Sequence, residues 1–238
     1  MGDHFSQRDW EFVRSRAAEV TAQLRSKGAY ADDFAPLPPV PHSQVTDFTR
    51  FTGLTLPPDF VDLVTRYAGG WRYYWNLGVG PKYKIERWLK PPVFVGDFGG
   101  NGEVPFIGAS PARPLLEVFT EFQVELDDYG PEEPEMREIA RKSFPLHTFE
   151  GGGGDKVVLR LDLDPARVCL LDHEAGWEFR DEFIICDGFG EFLTGWATLG
   201  FPECEDYSQW VDAERRRPMS SGPKFEAWLA WLADPAAA

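Results

Sequence analysis

Cysteine is scarce in this chain: three in 238 residues, at Cys169, Cys186 and Cys204. An odd, widely spaced set forms neither a disulfide framework nor a paired zinc motif, and reads as the reduced thiols of a cytoplasmic protein. Basic charge is scarce as well. The 24 lysines and arginines face 39 acids, a net charge of −15. Nucleic acid is therefore not an expected partner, because phosphates require a basic footprint; a basic protein partner is electrostatically favoured. No apolar run reaches the roughly 20 residues that span a bilayer, so no membrane partner is expected. The opening MGDHFSQRDWEF lacks the apolar stretch of a secretory signal.

Chemistry is equally thin. Gly151–Gly154 lead into Asp155 and Lys156. A phosphate loop needs a helix after its glycines and Ser or Thr after its lysine. Here Val157 follows, Asp155 would repel a phosphate, and from Leu159 apolar and polar residues alternate as in a half-buried strand over 156–163. The glycines read as a turn feeding a strand. Asp172, His173 and Glu174 form the obvious acid–base or metal cluster, but neighbours on a strand point to opposite faces, and Trp177 stands where HExxH needs its second histidine. Cys169 and His173 on one extended strand face are about 13 Å apart, too far to pair. Gly108-Ala109-Ser110-Pro111-Ala112 lacks the last glycine of a nucleophile elbow. No cofactor, metal or catalytic residue is expected.

What the chain has in plenty is aromatics and acids. Ser6 to Asp9 form a capping box before an apolar stripe, Trp10, Val13, Ala17, Val20 and Leu24, which predicts a helix over 7–27. Residues 35–41 read as a Pro-rich extended linker. Thr46 is expected to cap a short helix, and Pro57-Pro58 to open another that ends at Gly69-Gly70. Helices are expected over 115–126 and 132–143, strands over 167–172 and 182–186, a helix capped by Asp187, and a last helix from Pro223. Trp71, Tyr73, Trp75, Tyr83 and Trp88 either stack a ligand or pack a core. Residues 121–138 hold eight acids against one arginine, and residues 172–191 hold seven against one. Such runs are solvated faces or recognition surfaces.

The order of five blocks carries a resemblance: FTGLTLPPDFVDLVTRYAGG, GGNGEVPFIG, GGGGDKVVLRLDL, RVCLLDHE and DGFGEFLTGW. The succession resembles the SUKH superfamily, named for a yeast cell-wall assembly regulator. Leu56, Pro57 and Gly70 match its first block, Pro105 and Phe106 the second, Gly154 and Asp155 the third, Asp172, His173 and Glu174 the fourth, and Phe189, Phe192 and Leu193 the fifth. The resemblance implies an α+β fold with a mostly antiparallel, curved sheet flanked by helices, here with extra N-terminal and C-terminal helices. Residues 1–45 would hold the N-terminal helix and linker, 46–197 the SUKH-like domain with an insertion at about 111–148, and 198–238 a tail and helix packed on that domain.

By the same resemblance the chain is a non-enzymatic binding protein. Bacterial members look like immunity proteins that neutralise a cognate polymorphic toxin by occluding its active site; others resemble intracellular regulatory scaffolds. A small hydrolase built on Asp172, His173 and Glu174 is a third reading. The candidate contacts to a toxin with a basic surface are Glu121, Glu125, Asp127 and Asp128 in the insertion, and Trp71, Tyr73 and Trp75.

Overall fold

A computed structural model of the chain describes residues 4–76, 99–101, 115–130, 132, 134–148, 156–171, 184–201, 210–212, 214 and 216–234. Among these residues it has seven helices and an antiparallel four-stranded sheet, an α+β arrangement. None of these helices is long and apolar enough to cross a membrane.

Helix α1 (Gln7–Ser26) begins as the sequence predicts. Ser6 Oγ accepts the Asp9 amide at 3.3 Å, and the Asp9 carboxylate accepts the Ser6 amide at 2.9 Å, so two otherwise orphaned donors are satisfied reciprocally. Its stripe of Trp10, Val13, Ala17, Val20 and Leu24 is buried in the main core. The 35–41 segment is stapled rather than loose. Ala35–Pro36 (strand β2) pairs with Trp71–Arg72 (β3), and the Leu37 and Val40 amides donate to Gly70 and Val64 carbonyls at 2.8 Å. A second short ladder pairs Tyr30–Ala31 (β1) with Tyr74–Asn76 (β4), which pairs in turn with Gly99–Asn101 (β5).

Helix α2 (His42–Thr52) starts four residues before the expected cap. Thr46 lies inside it, its hydroxyl donating to the His42 carbonyl at 3.4 Å, which removes it from a capping role. Helix α3 (Pro58–Asp62) opens on proline and continues through a wider π turn, Leu63–Tyr67. Helices α4 (Leu115–Tyr129) and α5 (Pro134–Arg141) follow. The chain then enters strand β6 (Ser143–Thr148), where the sequence pattern predicts a helix to residue 143 and no strand.

Strands β6, β7 (Lys156–Arg160), β8 (Arg167–Leu171) and β9 (Ile184–Cys186) form the sheet in that order, each pair antiparallel. Strand β7 ends at Arg160, short of the expected 163. Arg160 instead folds onto Asp162, with Nε and Nη2 donating at 2.9 and 2.5 Å, and the chain turns there. The expected alternation fails for a physical reason: both faces of these strands are buried, so they read as continuous apolar runs. Val157, Leu159, Val168 and Leu170 face the main core, whereas Val158, Cys169, Leu171 and Ile184 meet Phe122, Leu126 and Ala140 of α4 and α5 in a second, smaller cluster. The described part of the expected insertion, α4, α5 and β6, thus contributes an edge strand and the cover of one sheet face.

The glycines 151–154 lie outside the described residues, but the ends they join are described: Thr148 pairs with Lys156, and Lys156 opens a strand. Helix α6 (Phe189–Thr198) crosses the main-core side, buries Phe192, Leu193 and Trp196, and packs against α1 and α3. A small hairpin, Val211–Asp212 (β10) with Arg217–Pro218 (β11), and helix α7 (Pro223–Ala233) complete the fold; Trp228 and Trp231 of α7 are buried.

Candidate functional site

Two sets of residues were expected to meet a partner, and they lie in opposite environments. Trp71, Tyr73 and Trp75 are core residues, with relative exposures of 1%, 1% and 0%. Trp71 lies in β3, Trp75 in β4 and Tyr73 between the two strands, and all three side chains turn inward. The Tyr73 hydroxyl reaches the Ala17 carbonyl and the Thr21 hydroxyl, both at 3.2 Å, and Trp75 Nε1 donates to the Gly200 carbonyl at 2.9 Å. Burial pushes the Tyr73 phenol up to about 12. These three side chains cannot form a contact surface of the folded protein. Tyr83 and Trp88 lie outside the described residues.

The acids are on the surface. Helix α4 buries Leu115, Phe119, Phe122 and Leu126, while Glu117, Glu121 and Asp127 are exposed and Glu125 is half-buried. Asp128 sits on the same helix. Val124 stands in this face with 57% exposure, one of four large apolar side chains left out of the core among the described residues. Asp127 pairs with Arg141 of α5, whose outer side adds exposed Glu135 and Glu138. The two helices together present a mainly acidic layer with an apolar side chain in it.

Sequence reasoning missed the groups that fasten α6. Gly188 precedes this helix and can offer no side-chain cap, and Asp187, the expected cap, makes no capping bond. The cap comes from α3. Asp59 Oδ2 accepts the Gly190 amide at 2.7 Å, and Oδ1 accepts the Phe60 amide at 2.8 Å. Burial raises the Asp59 carboxyl above its ordinary range against the pull of these amides. At the other end, Arg16 of α1 donates to the Thr198 carbonyl through Nε and Nη2 at 3.3 and 3.2 Å. An anion at the N-terminus and a cation at the C-terminus complement the helix dipole. Lys27 plays a similar part for α7: its ammonium bonds the Asp234 carbonyl and lies 4.9 Å from the Trp231 ring, and burial lowers its pKa against the attraction of Asp234.

Two open grooves flank α1. One, of about 520 Å³, is lined by Arg14, Ala18, Ala22, Arg25, Asp33 and Phe34 among others. The other, of about 680 Å³, lies between α1, α6 and β11 and includes Arg8, Phe12, Glu191, Gly195 and Arg217. Among the described residues neither is lined by a histidine or a cysteine, and each mixes both signs of charge. Among the described residues no three His, Cys, Asp or Glu side chains converge as metal ligands. Cys169 and Cys186 are free thiols on opposite faces of the sheet, and burial pushes both up to about 12. Asp172, His173 and Glu174 lie outside the described residues. Comparison with family models, curated proteins and solved structures returns no match.

Proposed function

We propose that the chain is a non-enzymatic binding protein whose outer α4–α5 layer meets a basic protein partner, and that the partner is a toxin that it neutralises by occlusion. The observation that carries this reading is the character of that layer: Glu117, Glu121 and Asp127 are exposed on α4 together with Val124, and Glu135 and Glu138 are exposed on the adjoining α5, in a chain of net charge −15. An acidic surface steers a cationic partner, and a small apolar centre within a polar rim is the usual anatomy of an interface. Support for a toxin as that partner comes from the ordered blocks of residues 46–197 that resemble the SUKH superfamily. The SUKH-like identity of the fold and the curvature of its sheet belong to this proposal.

The test is direct. The product of a toxin-like gene adjacent to this one is purified, and its binding and activity are measured with and without the chain. Immunity requires a stoichiometric complex in which the toxin's activity is lost. A complex that leaves activity intact supports a regulatory scaffold instead, and the absence of any complex removes the reading.

A further inference from the structure

The two clusters of apolar side chains that sandwich the four-stranded sheet are separate and unequal. The main core draws on α1, α2, α3, α6 and α7, whereas among the described residues the second cluster comprises Phe122, Leu126, Ala140, Val158, Cys169, Leu171 and Ile184. Helix α4 spans both. Its first half is held by the main core: Leu115 and Phe119 are members of it, the Phe119 ring lies 5.3 Å from Phe48 and edge-on to it, and the Leu115 amide donates to Gln44 Oε1 at 3.2 Å. Its second half and α5 rest on the small cluster. The Asp127–Arg141 pair joins these two pieces to each other rather than to the sheet.

We infer that the second half of helix α4, from Phe122 on, and helix α5 open as one unit while the main core stays closed, uncovering the sheet face that carries Val158, Cys169 and Leu171. A segment opens locally when its apolar contacts are few and self-contained, since its opening then costs less than global unfolding. The inference does not depend on the proposed partner.

The chain carries its own probes. Cys169 lies beneath the cover, in the small cluster, and Cys186 on the neighbouring strand belongs to the main core. Both are buried, so each reacts only after an opening event. With Cys204→Ser as background, one variant keeps Cys169 alone (Cys186→Ala) and another keeps Cys186 alone (Cys169→Ala). Under native conditions an aromatic disulfide reagent is expected to label Cys169 at least tenfold faster than Cys186, and Leu126→Ala to accelerate the first much more than the second. Equal rates, or equal acceleration, would mean that only global unfolding exposes either thiol and would overturn the inference. If a cysteine variant fails to fold, hydrogen exchange read by mass spectrometry on the unaltered chain decides. Amides of the second half of α4 and of α5 should exchange faster than those of α1 and α6, with weaker dependence on denaturant; one shared, steeply denaturant-dependent rate would refute it.

Discussion

The two faces of the four-stranded sheet are made by the same strands and stabilised differently. On the main-core side rings interlock: Phe144 of β6 packs 5.3 Å from Phe60 and 5.7 Å from Phe48, and Phe60 in turn lies 5.2 Å from Phe189. On the covered side, among the described residues, a single ring, Phe122, sits among aliphatic side chains and one thiol. The first arrangement spreads each strand's contacts over several helices, whereas the second concentrates them under one layer. A protein can thus keep a rigid interior and still carry, on its other side, a helical layer whose outer surface is charged.

The sharpest way to break this comparison is by truncation. Phe60→Ala is expected to cost about 3–5 kcal/mol in urea unfolding, because a buried ring leaves a cavity that its neighbours fill only in part. Leu126→Ala on the covered face should cost about 2–3 kcal/mol, near the low end for a buried leucine, since a thin layer can settle into the space. Equal losses would erase the asymmetry between the faces.

Alkali should act on the whole molecule. Tyr73 titrates at about 12 when folded, against about 10 in the unfolded chain. A raised phenol contributes stability that is complete below pH 10 and is lost as pH climbs toward 12. At about 1.4 kcal/mol per unit, the loss is roughly 2–3 kcal/mol. The buried thiols add to it from about pH 9 upward, Cys169 on the covered face and Cys186 on the core face. Denaturant titrations at pH 8 to 11 should show falling stability in the native sequence and a shallower fall in Tyr73→Phe. Identical slopes would assign the loss to other groups.

Asp59→Ala removes the only side-chain cap described for α6 and is expected to cost about 1–2 kcal/mol by thermal or urea unfolding. Asp59→Asn keeps an acceptor for the Gly190 amide and relieves a buried charge, so it should cost clearly less than the alanine. The smallest effect on stability is expected on the acidic layer. Glu121→Gln with Asp127→Asn should change unfolding by less than about 0.5 kcal/mol, because exposed charges contribute little. The same pair should slow association with a basic partner roughly tenfold at low salt, an effect that fades as salt rises. An unchanged rate would make the layer a solvated face only.

Much of the architecture was legible where a stripe, a proline pair or an apolar run marks it. The stripe of α1, the double proline of α3, the apolar run opening α7, and strands near 156, 167 and 184 all declare themselves locally. Strand β6 does not. It follows α5 after a single residue, carries Pro145, and shifts register between Pro145 and His147, features of an edge strand that leave no clean alternation. Strands β1, β2, β10 and β11 are two residues long, too short for any period. The alternation of Trp71, Tyr73 and Trp75 was visible, but periodicity marks one face and does not say whether that face looks inward. The cap on α6 was beyond local reading: Asp59 lies 131 residues before its partner, and residue 187 offered a plausible acid close by.

That fastening of α6 sets a schedule for the growing chain. Arg16 waits for a carbonyl 182 residues downstream, and Asp59 for an amide 131 residues downstream. At about 5–20 residues per second, helix α1 has been synthesised roughly 10 to 35 seconds before Thr198. Throughout that interval its apolar stripe, Trp10 to Leu24, lacks α6 as a packing partner, so α1 stays incompletely covered until the segment that closes over it has been made.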